Sequence, residues 1–231
     1  MSIWWFFWFI LSFILLGATA WSQLILWRQK RTWEQYAKNH NLVFVKGRFS
    51  ASPSIEGTID DFNISMFSAT QQQEDSRKNR QLTVLELTCA KPFFSGLAVG
   101  TPELLPFLKS LDLLSPHPLN HEKWDSKHNH IYSHNKEAVD KFLTPERIVI
   151  LNNILKLSNS DNIALINDEQ SVFRFETSNP LTDIDKLENL VSKLMKNIEK
   201  LRPGSEEIKV CLLYTSPSPR DLSTSRMPSS A

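Results

Sequence analysis

Five of the six histidines fall between residues 117 and 134: His117, His121, His128, His130 and His134. Imidazole is the commonest metal ligand in proteins and suits zinc, copper and nickel. Strand side chains alternate, so an extended segment over 127–134 puts His128, His130, Tyr132 and His134 on one face. His128 and His134 lie about 20 Å apart along one strand, too far for all three histidines to bind one ion. A coordination sphere therefore needs two strand neighbours plus His117 or His121 from the preceding loop. No cysteine pair lies nearby to add specificity, and a polar strand edge facing solvent accounts for the same pattern. The reading is an exposed edge and no cofactor. The alternative is a site for zinc or another transition metal on His117, His121, His128, His130 and His134.

Other reactive arrangements are weaker. His121-Glu122-Lys123-Trp124-Asp125 approaches the helical zinc-protease motif, but Asp125 stands where the second histidine belongs, and Pro116 and Pro118 oppose a long helix. Cys89 sits in an apolar run, where cysteine packs as a small hydrophobe. No serine is flanked by glycines as in a nucleophile elbow. The six glycines are scattered, so no phosphate-cradling loop exists. Asp60-Asp61, Asp161 and Asp168 lie in turn-like segments, where short acids bond the backbone. No catalytic residue is assigned.

The elements around these residues are legible in part. Thr32 to His40 reads as a short helix, with Trp33, Tyr36, Ala37 and His40 at helical spacing. Leu42 to Val45 reads as a strand. Ser54 to Ile59 and Phe62 to Ala69 flank Asp60-Asp61 as a hairpin. Gln71 to Arg80 is wholly polar and reads as an exposed loop, and Gln81 to Cys89 as a strand. Thr101-Pro102-Glu103 and Thr144-Pro145-Glu146 both carry a capping hydroxyl, a first-turn proline and a carboxylate near the positive helix end. Leu108, Leu111 and Leu114 even match Leu151, Ile154 and Leu157 in register, although convergent helix starts explain this without a duplication.

Ile131 to Ser133 is strand-like. Asn135 caps a helix to about Phe142, and Glu146 to Leu157 forms the next. Ile163 to Ile166 and Ser171 to Glu176 read as a hairpin. The final helix carries Leu187, Leu190, Val191, Leu194, Ile198 and Leu201 as one apolar stripe. Thr182 with Asp185 resembles its capping box, and Arg202-Pro203-Gly204 ends it. Strands grouped apart from helices predict an α+β domain with a largely antiparallel sheet packed with amphipathic helices.

Ahead of this domain, residues 1–27 carry no charged side chain and end abruptly in Arg28-Gln29-Lys30-Arg31. As a helix, Ile3 to Trp27 would be about 37 Å long, enough to cross a hydrocarbon core of about 30 Å. Trp4, Trp5 and Trp8 near one end and Trp21 and Trp27 near the other suit the two headgroup levels. The competing reading is a cleaved signal peptide with Ala18-Thr19-Ala20 at the cut. Against it, no Lys or Arg precedes the apolar run, and that run continues through Leu24 to Trp27. Basic residues stay on the cytoplasmic side, so Arg28, Lys30 and Arg31 predict an outward N-terminus and a cytoplasmic domain at the inner (plasma) membrane.

The last segment reads differently. Residues 211–231, from Cys211-Leu212-Leu213-Tyr214-Thr215-Ser216 to Ser229-Ser230-Ala231, resemble a translated transposase-type sequencing adapter, with two constant parts around a short variable index. On that reading residues 28–210 hold the globular domain, and the tail contributes nothing to the fold. A natural Ser/Pro-rich tail is the alternative.

One stretch resembles a known pattern. Trp124 to Ile154, with Ile131-Tyr132-Ser133, Glu137-Ala138 and Phe142-Leu143-Thr144-Pro145, is similar to uncharacterised bacterial single-pass membrane-anchored proteins, a family of unknown function. There a strand, a helix and a leucine-threonine-proline helix precede a hairpin and a final amphipathic helix. The resemblance implies an anchored α+β protein and no site residues.

Charge narrows the partners. Lys plus Arg number 26 and Asp plus Glu 25, so no basic excess supports nucleic-acid binding. The expected partners are the membrane and a protein, and the expected role is binding or scaffolding without catalysis.

Overall fold

The computed structural model describes residues 3–48, 51–72, 79–91, 93, 96–102, 115–119, 121–126, 128–133, 135–157, 160–166 and 170–204. The adapter-like segment 211–231, the centre of the polar loop before β4, most of the helix expected after Thr101 and the turn at 167–169 lie outside these residues. The chain divides into two compact units. One comprises Met1–Leu87 with Phe175–Leu194, the other Thr88–Arg174 with Met195–Ala231.

The first unit opens with α1 (Ile3–Asn39), a single helix of 37 residues, about 55 Å long. Sequence spacing suggests an anchor followed by a separate short helix from Thr32, but the two are continuous. Arg28-Gln29-Lys30-Arg31 are good helix formers and no Gly or Pro interrupts them, so nothing breaks the backbone ladder. Trp4, Phe7, Phe9, Phe13, Leu16 and Trp21 are exposed, whereas Trp33, Tyr36 and Ala37 are buried. The helix is long and apolar enough to cross a membrane. It stops where Asn41 takes a left-handed φ of 55°. The Leu42 amide then reaches back to the Ala37 carbonyl at 2.8 Å, which satisfies an end carbonyl in the Schellman manner.

Four strands of this unit lie in the order β1 (Val43–Val45), β2 (Ser54–Ile59), β3 (Phe62–Gln72), β4 (Asn79–Cys89). β1 pairs antiparallel with β2, Val43 opposite Glu56. β2 and β3 form the expected hairpin, Ile59 opposite Phe62, around Asp60 with its left-handed φ of 52°. Ile55, Phe62, Ile64 and Met66 are buried, the alternation of a sheet with one covered face. The polar loop is shorter than the composition suggests, since β3 reaches Gln72 and β4 begins at Asn79.

The last helix, α4 (Ile184–Leu201), begins in this unit and buries Leu187, Val191 and Leu194. Its first turn departs from the expected capping box. Asp183 Oδ1, not the Thr182 hydroxyl, accepts from the amides of Asp185 and Lys186 at 3.1 and 3.3 Å. The Thr182 carbonyl instead accepts from Thr32 Oγ1 at 2.8 Å, and Asn39 Nδ2 donates to Glu188 at 3.3 Å. Start and end of the buried part of α1 are thus both tied to α4.

In the second unit the strand order is β9 (Ser171–Thr177), β8 (Ser160–Ile166), β5 (Leu97–Gly100), β7 (His130–Ser133), β6 (Ser115–Pro116), with β4, β9 and α4 each contributing residues to both units. β5 pairs antiparallel with β7 and β8, and β6 with β7. Every residue of β5 is buried. Between β7 and β8 run α2 (Lys136–Phe142) and α3 (Pro145–Leu155). Asn135 Oδ1 accepts from the Glu137 and Ala138 amides, and Thr144 Oγ1 from Arg147, as the sequence signals require. Arg147 is buried, with its guanidinium 4.8 Å from the Phe142 ring centroid. It donates to the carbonyls of Phe142 and Arg202 at 3.2 and 3.5 Å, joining the ends of α2 and α4 within the unit. The described elements are thus a long apolar helix, nine strands paired antiparallel wherever their register is defined, and separate helices: an α+β chain.

Candidate functional site

The histidine segment does not form one extended strand. β7 starts only at His130, and the described residues 121–126, 128 and 129 form turns and irregular backbone. The Trp124 amide bonds the His121 carbonyl at 2.9 Å, and the Asp125 carbonyl accepts from both the His128 and Asn129 amides. Buried Trp124 and Asn129 pin these turns to the unit, and burying an indole outweighs the weak extended preference of a polar stretch. Asn129 Nδ2 donates to Asn152 Oδ1 at 3.0 Å, and Asn152 Nδ2 to the Lys123 carbonyl at 2.8 Å. Side-chain amides on α3 thereby hold the irregular backbone in place.

The turns separate the histidines. His128 is exposed, its Nδ1 3.1 Å from both oxygens of Asp125, which also meets Lys156 at 3.7 Å. His121 turns Nδ1 inward as an acceptor for the Lys123 amide at 3.2 Å. His130 occupies the first position of β7 opposite Gly100. His134 lies outside the described residues. Among the described residues no group of three or more His, Cys, Asp or Glu side chains stands close enough to hold a metal ion.

His117 is the most distinctive of the set, and its partner was not evident from sequence. Its amide bonds the Ile131 carbonyl at 2.9 Å, which extends the β6–β7 pairing by one residue. The ring is buried, with Nε2 3.1 Å from Asp140 Oδ1 on α2. Asp140 is the carboxylate one helical turn after Lys136, and only the packing of α2 beside β6 brings it to the ring. Nδ1 is buried without a partner among the described residues, as is the Ser133 hydroxyl. A buried imidazole beside a carboxylate is held in a fixed orientation.

Cys89 is buried, as its apolar strand implies. In the first unit, burial and the Glu188 carboxylate push the Tyr36 phenol up to about 12, so it stays neutral at physiological pH. Its ring meets that of His40 at a centroid distance of 4.5 Å with the planes tilted by 41°, at the end of α1. No family model, curated protein or solved structure matches the chain. Function therefore rests on the molecule's own chemistry.

Proposed function

We propose that this is a single-pass inner-membrane protein with its N-terminus outside and a cytoplasmic α+β domain that binds or scaffolds a partner without catalysis. The observation that carries the reading is the division of α1. Its first two thirds present large aromatic and aliphatic side chains outward, and its last third is packed into the domain. Exposed apolar surface on that scale is costly in water and matches hydrocarbon. Arg28, Lys30 and Arg31 follow the apolar run at once, which supports a cytoplasmic domain.

A fluorescent reporter fused after Gly204 is expected to light up in the cytoplasm. A phosphatase reporter that needs an oxidising compartment is expected to stay silent at the same position. The reverse pattern overturns the orientation, and a mature N-terminus at Trp21 overturns the anchor. Crosslinking in native membranes tests the binding role, which fails if no partner is recovered reproducibly.

A further inference from the structure

The basic residues beside the apolar run do more than follow it in sequence. From Trp27 to Asn39 the helix descends about 18 Å. The chain reverses at Asn41, and the extended run from Leu42 to Arg48 climbs about 20 Å back. Residues 46–48 should therefore return to the level of residues 28–31. They do: Lys30 Nζ donates to the carbonyls of Gly47 and Arg48 at 3.3 and 2.8 Å. The loop is tight at that point, because a Cβ on Gly47 would lie 2.6 Å from the Ala51 carbonyl oxygen.

Arg28, Arg31, Lys46 and Arg48 are all exposed at this level. Two acids on neighbouring turns, Glu34 and Asp183, have lysine partners of their own. Glu34, one turn further down α1, pairs with Lys38 at 2.8 Å, and that bond, with a smaller contribution from the charge of Lys46, holds its carboxyl below the usual range. Asp183, brought to the level of Thr32 by the Thr32–Thr182 bond, meets Lys186 at 3.6 Å and caps α4. Asp185 follows it in the first turn of α4. Just above stands Trp27, exposed, with the Arg31 guanidinium 5.6 Å from its ring centroid, the arrangement of an interfacial indole.

Resting on the anchored reading, we infer that Arg28, Arg31, Lys46 and Arg48 form a binding surface for anionic phospholipid headgroups of the leaflet that α1 enters. Two segments separated in sequence, joined by Lys30, present four cations at the depth where lipid phosphates lie. Each such cation adds to the attraction for an acidic leaflet, and the attraction decays within a Debye length.

The test reconstitutes the full chain in phosphatidylcholine vesicles and measures the motionally restricted fraction of spin-labelled phosphatidylglycerol and of spin-labelled phosphatidylcholine. The expected result is a preference for phosphatidylglycerol of about threefold or more at low salt. The preference should fall to near unity in the R28Q/R31Q/K46Q/R48Q variant and in the unsubstituted chain at about 1 M salt, where the Debye length is about 3 Å. Equal restriction of both lipids by the unsubstituted chain overturns the inference and leaves the anchor standing. A preference that survives the four substitutions overturns it as well. If that variant fails to fold, the salt series decides, and a salt-insensitive preference overturns the inference. No restricted lipid of either kind overturns the anchor itself.

Discussion

Replacing Trp33 with alanine tests whether the last third of α1 belongs to the domain. Trp33 is 0% exposed, and Tyr36 and Ala37 beside it are buried too. Removing a buried indole costs about 3–5 kcal/mol through lost transfer energy and the cavity left behind. A domain of 150–250 residues loses roughly 2–4 °C of Tm per kcal/mol, so Trp33→Ala should lower Tm by about 6–20 °C. Trp33→Phe should cost far less. The Trp33 indole N–H is buried without a partner among the described residues, and an unpaired donor costs about 1–3 kcal/mol. Phenylalanine removes that donor along with some volume, so the two effects oppose and the net loss should stay below about 1.5 kcal/mol. Trp27, 56% exposed, is the control, and Trp27→Ala should stay within about 0.5 kcal/mol. The assay is thermal unfolding of the full chain in detergent micelles, followed by near-ultraviolet circular dichroism. If Trp33→Ala and Trp27→Ala melt within about 2 °C of each other, the segment is a tether lying on the domain and the reasoning fails.

His117→Gln should lose about 1–3 kcal/mol because it disturbs a buried ring and its carboxylate partner, whereas His128→Gln should stay within about 0.5 kcal/mol; denaturant titration compares them. Metal analysis of the purified chain should find no stoichiometric zinc, copper or nickel, and one equivalent abolished by replacing His128, His130 and His134 would promote the metal reading. Asn135→Ala should cost about 1 kcal/mol through loss of the α2 cap, read as a shift in denaturant midpoint. Tyr36 ionises near 10 when unfolded and about 12 when folded. The stability this difference supplies is complete below pH 10 and is lost as pH rises towards 12. Tyr36→Phe should flatten that part of the stability profile, and an unchanged alkaline slope would contradict the assignment.

Elements with strong local chemistry were legible from sequence. The Asp60-Asp61 hairpin, the Asn135 and Thr144 caps and the stripe along α4 appear where turn, cap and periodicity signals place them. Elements defined by their neighbours were not. β5 is a four-residue strand and β6 a two-residue strand, too short for alternation to register, and they exist because adjacent strands offer unpaired backbone. The histidine face failed for a related reason. Alternation assumes an extended backbone, but burial of Trp124 and the amides of Asn129 and Asn152 bend it into turns before His130. Asp140, the partner of His117, could not be found by spacing because tertiary packing alone brings it there.

The unbroken course of α1 has a mechanical consequence. Its apolar run of about 37 Å exceeds a hydrocarbon thickness of about 30 Å, and in a bilayer such an excess is taken up by tilt. A flexible linker would let the domain ignore that tilt. Here the helix that leans is the helix whose Trp33, Tyr36 and Ala37 lie in the core, with no glycine or proline hinge between. On the anchored reading proposed above, the first unit must lean with it: a thicker bilayer stands the unit upright, and a thinner one tips one flank towards the lipid surface. Bilayer thickness then becomes an orientational coordinate of that unit.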